Sequence, residues 1–286
     1  MNACGGSSSD SVLSDLSDLG SLQPAGETIA ISAAGIKGPL AFADAKIFAF
    51  DPSFPEFHDA SSPLSSAISN EFAEITGLSV PADSQPPYIM TIGGSNAIDL
   101  NTGKAPVIST LITVITAEML TGSRPIYATP LTTLVHDMAR HGTGASGNAD
   151  TFVQSLQDAS AAVSRIFALD PQTTIDVLGS PLVIDDNTTT VAQQQEAVHH
   201  RAALEAFAAK IDTLASSLEN IDGDALIDLV ALDLQSDGVI DNANNGQPIG
   251  GIDPAIINQD AMEMLIPNTG YQVKDIVLLM EEERAL

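Results

Sequence analysis

The feature that most limits how this chain can fold is a change in the spacing of its apolar residues near Lys104. Before it, apolar and polar residues alternate over short runs, the period of a half-buried strand. After it, apolar residues recur every three or four positions, the period of an amphipathic helix. Thr28-Ile29-Ala30-Ile31 and Ala45-Lys46-Ile47-Phe48-Ala49-Phe50 predict strands, and Gly35-Ile36-Lys37-Gly38-Pro39 between them is turn chemistry. Pro86 to Gly94 predicts another strand, ended by glycines. The expected fold class is therefore α+β, with a small antiparallel β-sandwich over 27–105 followed by an α-helical domain over 106–286.

Within the second part, Thr129 can cap free N–H groups, and Pro130 at the first helical position gives up a hydrogen that has no partner there. Leu131, Leu134, Val135 and Met138 then share a face, and Gly142 is placed to end the helix. The same device at Asp253-Pro254 predicts a helix carrying Ile256, Ile257, Ala261, Met264 and Leu265. Two longer helices are predicted between these. One carries Phe152, Val153, Leu156, Val163, Ile166 and Phe167 on its stripe; the other carries Leu204, Ala208, Ile211, Ala215 and Leu218. Val107 to Leu120 combines the Ile, Val and Thr content of a strand with helical spacing, and is assigned to helix.

Charge narrows the partners. The chain holds 37 acidic and 10 basic residues, a formal net charge of -27. Binding nucleic acid requires clustered cations that displace counterions, so DNA and RNA are disfavoured as partners. Anionic lipid headgroups are disfavoured for the same reason, which leaves a covalent anchor as the expected route to a membrane.

The single Cys, Cys4, follows a small residue and precedes Gly5-Gly6-Ser7-Ser8-Ser9. One Cys permits no intramolecular disulfide. The segment resembles the end of a bacterial lipoprotein signal, with Met1 where Leu is usual, as expected for a start placed after a removed signal peptide. That resemblance implies diacylglycerol on the Cys4 sulfur and an acyl group on its nitrogen, enough buried methylenes for stable anchoring. It implies a place in the bacterial cell envelope, at the outer membrane or cell surface rather than the inner membrane. Residues 1–26 then read as a Ser/Asp/Gly tether.

Two further resemblances concern architecture. The strand, the Gly-x-x-Gly-Pro turn and Ala43-Asp44-Ala45-Lys46-Ile47-Phe48-Ala49-Phe50 resemble the carboxypeptidase regulatory-like β-sandwich of secreted bacterial proteins. Ala128-Thr129-Pro130-Leu131-Thr132-Thr133-Leu134 resembles a helical segment of uncharacterised surface proteins, which ends in an Asp-Leu-x-Asp-Gly-x-Ile-Asp-Gly run. Here that run is Asp233-Leu234-Gln235-Ser236-Asp237-Gly238-Val239-Ile240-Asp241-Asn242, with one inserted residue and Asn242 in place of Gly. These resemblances imply export and architecture, and no known chemistry.

The same acidic run is the sharpest candidate site. Read as a calcium loop, its ligands are Asp233, Gln235, Asp237, the Val239 carbonyl, Asp241 and Asn244, with Gly238 at the sharp turn. Asn244 cannot supply a bidentate carboxylate, and Asn245-Gly246-Gln247-Pro248 forbids the exiting helix of an EF-hand. The alternative is a helix end followed by an Asp/Gly turn, with Asp237 and Asp241 bonding backbone groups. Most of His58, His136, His141, His199 and His200 are expected at the surface. No Gly-x-Ser-x-Gly or phosphate-cradling Gly-rich loop occurs. The expected function is thus a non-enzymatic, lipid-anchored binding or structural module, with calcium as the one cofactor in view. A carrier of an apolar small molecule, lipid or hydrocarbon, is the alternative, and an exported hydrolase comes third.

Overall fold

A computed structural model describes residues 27–122, 125–167, 175–179, 190–219 and 221–283. The first part of the chain forms β1 (Thr28–Gly35), β2 (Leu40–Ala41), β3 (Asp44–Ala49), β4 (Ser65–Ile68), β5 (Ile75–Pro81), β6 (Tyr88–Gly93) and β7 (Ile98–Asp99). Next come β8 (Thr110–Ile115), α1 (Ala117–Thr121), β9 (Ile126–Ala128), α2 (Pro130–Thr143), α3 (Ala149–Ile166), α4 (Val191–Ser217) and α5 (Gly223–Asp237). The chain closes with β10 (Ala243–Asn244), β11 (Gln247–Pro248), α6 (Pro254–Ile257), a 3-10 turn (Val273–Asp275) and α7 (Ile276–Glu283). The protein is mixed α+β, as the change of period predicts.

Two main sheets organise the strands, one ordered β5-β1-β9 and the other β4-β3-β6-β8. The pairing is antiparallel except between β1 and β9, which run parallel. Register places Ala45, Ile92 and Leu111 in one buried row across the larger sheet. Ile92 abuts β1 so closely that a Cβ on Gly35 would lie 2.8 Å from its Cγ2, which is why glycine ends that strand.

Val107 to Leu120 is not the helix expected of it. Residues 110–115 pair with β6 along the whole length of that strand, and only Ala117–Thr121 turn helical, after a Thr116 cap. The β-branched content decides the outcome because β6 offers an open row of hydrogen-bonding groups. Strands β8 and β9 thus lie beyond residue 105 and complete both sheets, and one hydrophobic core runs from Ile47 and Ile92 through Leu131 and Phe152 to Phe207 and Ile227.

The start of α2 is the joint between strands and helices. Thr129 accepts from the Thr132 amide and Thr132 reaches back to the Thr129 amide, closing a capping box. The free edge of β8 is satisfied by the same residues: the Ile112 amide donates to Thr133 Oγ1 (2.9 Å), and Thr132 Oγ1 donates to the Ile112 carbonyl (2.7 Å). The helix runs past Gly142 and ends at Gly144, whose φ of 65 only glycine adopts at low cost.

Behind α2 lies α4, whose residues 200–211 are buried on every side. Ala202, Ala203, Ala206, Ala208 and Ala209 make this possible, since small side chains let neighbours approach around the whole circumference. Asp253-Pro254 does start a helix, but it stops after one turn at Asn258. Lys210 of α4 bonds the Ile257 and Gln259 carbonyls, and the Asp260 side chain accepts from the Met262 amide, so the chain turns away before Ala261.

Candidate functional site

Cys4 and the tether lie outside the described residues. The acidic run is described throughout, and its geometry follows from where α5 ends. The helix continues to Asp237, so Asp233, Gln235 and Asp237 project at successive helical angles of about 200° and do not converge as a loop would make them. Asp233 is fully buried and its carboxylate accepts from the amides of Asp241 (3.2 Å), Asn242 (2.9 Å) and Ala243 (3.2 Å). Burial pushes this carboxyl above the usual range, while the three amides pull it the other way. Gln235 lies beside Gly142 of α2. Asp237 accepts from the Val239 amide (2.9 Å), and Asp241 is exposed. Asn244 pairs with Gln247 in the β10–β11 ribbon. Among the described residues no three His, Cys, Asp or Glu side chains are grouped to hold a metal ion.

The polar groups that do converge are gathered by α4. Arg201 and Glu205, one turn apart, meet Lys37 from the β1–β2 turn, Asp99 from β7 and Glu283 from α7. Lys37 lies 3.1 Å from Asp99 and 3.6 Å from Glu205, with all three buried. Burial penalises the Lys37 ammonium, but Glu205 and Asp99 more than offset this and hold its pKa above the usual lysine range. Gly38 lets the turn approach: a Cβ there would fall 2.3 Å from Asp99 Oδ1.

Farther along the same helix, Lys210 forms part of the wall of a cavity of about 400 Å3. Ile166, Phe167, Ala206, Ile240, Ile257 and Met262 contribute most of the apolar lining. Asn258, whose amide donates to the Ile240 carbonyl (3.1 Å), ties the turn after α5 to this wall. Lys210 donates to the carbonyls of Ile257 and Gln259, the latter at 2.6 Å. Burial lowers its pKa, with Asp260 acting in the opposite direction. A second opening, of about 440 Å3, lies between α4 and α7 and is lined by Val191, Val198, Val277 and Met280 with no lysine or arginine.

The histidines are not at the surface. His58, His136 and His200 are buried, and His141 and His199 are partly so. The reason is tertiary: α2 is enclosed by β8, α3 and α5, and α4 has no solvent face over its middle turns. His136 Nδ1 lies 2.9 Å from Asp137 Oδ1, and its Nε2 has no hydrogen-bond partner among the described residues. His141 and Arg140 both bind Asp228 of α5, which fastens α2 to α5.

Sequence reading missed Lys210, Arg201 and Glu205 because a charge on an Ala-rich helix ordinarily faces water. The available signal was the lack of any polar stripe on α4 to hold them. Comparison with protein-family models, with curated proteins and with solved structures gives no match for this chain.

Proposed function

We propose that this chain is a non-enzymatic, lipid-anchored module of the bacterial cell envelope, and that its folded body binds a small apolar molecule in the cavity beside Lys210. The observation that carries the binding reading is the cavity itself. Its volume of about 400 Å3 falls in the range of small-molecule sites, and its lining combines Ile, Phe, Ala and Met with a few polar groups. Support for the anchor is Cys4 in its Gly/Ser context. The finer architecture, a carboxypeptidase regulatory-like sandwich followed by a helical domain, belongs to the same proposal. The close approach of Ile92 to Gly35 supports two facing sheets, and the parallel β1–β9 pair departs from the antiparallel pattern of the resemblance.

Binding is tested with the neutral fluorophore N-phenyl-1-naphthylamine. Saturable one-to-one enhancement is expected, and Met262→Trp, which adds bulk to the cavity lining at an exposed position, removes it. Equal enhancement in both proteins, or none in either, overturns the binding reading. The anchor is tested by expression behind a lipoprotein leader: the chain with Cys4 enters the detergent phase and gains the mass of a diacylglyceryl group and one N-acyl chain, and Cys4→Ser does neither. A protein partner is a second reading, favoured by Phe42, Ile68 and Phe72, which are 45%, 66% and 63% exposed beside the edge strand β4.

A further inference from the structure

We infer that the molecule held in the Lys210 cavity carries an anionic head, a carboxylate ending an apolar chain, and that Lys210 receives it; this rests on the binding reading above. An ammonium has three donor hydrogens, and Lys210 spends them on two backbone carbonyls, those of Ile257 and Gln259, leaving one uncommitted. Carbonyl dipoles satisfy hydrogen bonds but do not neutralise a charge. The other deeply buried cations are neutralised: Lys37 by Asp99 and Glu205, Arg201 by Glu205 and Glu283. Among the described residues no carboxylate reaches ion-pair distance of Lys210, although it is only 8% exposed. In a chain with 37 acidic and 10 basic residues, a buried lysine with no carboxylate partner among the described residues is the cation best placed to pair with an acid supplied from outside.

The nearest acid by field is Asp260. It is exposed and itself lines the cavity; its Oδ1 accepts from the Met262 amide (3.0 Å), and it does not reach ion-pair distance of the ammonium. The apolar wall supplies the second half of the recognition, since Ile166, Phe167 and Met262 can cover a hydrocarbon chain whose head reaches Lys210. The net charge of -27 opposes the approach of an anion from afar. Screening over about 8 Å at physiological salt removes most of that opposition outside the cavity.

The test is calorimetric titration of the full chain at neutral pH with decanoate, 1-decanol and decyltrimethylammonium, each below its aggregation concentration. Decanoate is expected to bind one per chain and at least tenfold more tightly than decanol, and the cationic amphiphile is expected not to bind. Lys210→Met removes the advantage of decanoate over decanol. Should Lys210→Met not fold, the comparison of head groups in the unsubstituted protein still decides. Equal affinities for decanoate and decanol there overturn the anionic-head inference and leave apolar binding standing; no binding of either overturns both. Met262→Trp must weaken decanoate binding, and undiminished binding would place the anion elsewhere and overturn the assignment.

Discussion

At Asp233 a single buried side chain organises the acidic run. Its carboxylate gathers the amides of Asp241, Asn242 and Ala243 and so closes the turn after α5. Asp233→Ala leaves three amides without their acceptor, and is expected to cost about 2 kcal/mol or more. Asp237→Ala removes one exposed bond to Val239 and should cost less than about 1 kcal/mol. Both losses should be the same in calcium and in chelator. A fall in melting temperature that appears only with calcium would instead support the metal reading. The Asp/Gly turn itself was legible, since Gly238 takes a φ of 80 and Asp237 bonds backbone as that alternative expected. That Asp233, rather than Asp241, would close the turn was not legible, because it depends on the helix persisting to Asp237.

Among the elements, α2 shows how much local sequence can specify. Thr129 and Pro130 announce its start, because capping involves only groups within one turn. The role of Thr132 and Thr133 in covering β8 was hidden, because the strand they serve lies about 20 residues earlier and was itself assigned to helix. Each hydroxyl satisfies a backbone group of Ile112. Thr132→Val or Thr133→Val should cost about 1 kcal/mol, read as a lower urea midpoint, with Thr132→Val the more harmful since it also breaks the capping box. If both variants match the unsubstituted protein, the hydroxyls do not hold the edge. In α4 the stripe through Leu204, Ala208 and Ile211 does reach the core, but residues 200–211 are buried all round, so that stripe could not announce that the opposite side is inside as well.

For the whole molecule, burial of titratable groups sets how stability responds to acid. Burial lowers the pKa of His200 to about 4, Arg201 adds to this and Asp176 opposes it. In the unfolded chain a histidine titrates near 6.5. Between these values the unfolded state takes up a proton that the folded state refuses, so stability is lost as pH falls from about 6.5 to about 4, by up to about 3 kcal/mol. His58, depressed chiefly by burial, acts in the same direction. Asp224, raised chiefly by burial, acts oppositely at the acid end, where the folded state gains its proton first. The urea midpoint should therefore decline from pH 6.5 to 4.5, and His200→Gln should flatten the decline. An unchanged slope would remove His200 as its cause.

The sequence by itself determined the α+β class, the strands through Ile31, Ile47 and Met90, and the starts of α2 and α6, because alternation and capping are properties of neighbouring residues. It also determined the acidic character and the Cys4 segment on which the anchor proposal stands. Only the tertiary structure decided that 110–115 is a strand, that one core joins sheets and helices, and that Lys37, Arg201, Glu205 and Lys210 lie inside. The physical reason is that strand pairing and desolvation depend on what arrives from far along the chain. Lys37 meets Glu205 across more than half the protein, and Lys210 meets the carbonyls that stop α6. The candidate cavity exists because those distant meetings brought α4 against the chain that follows α6.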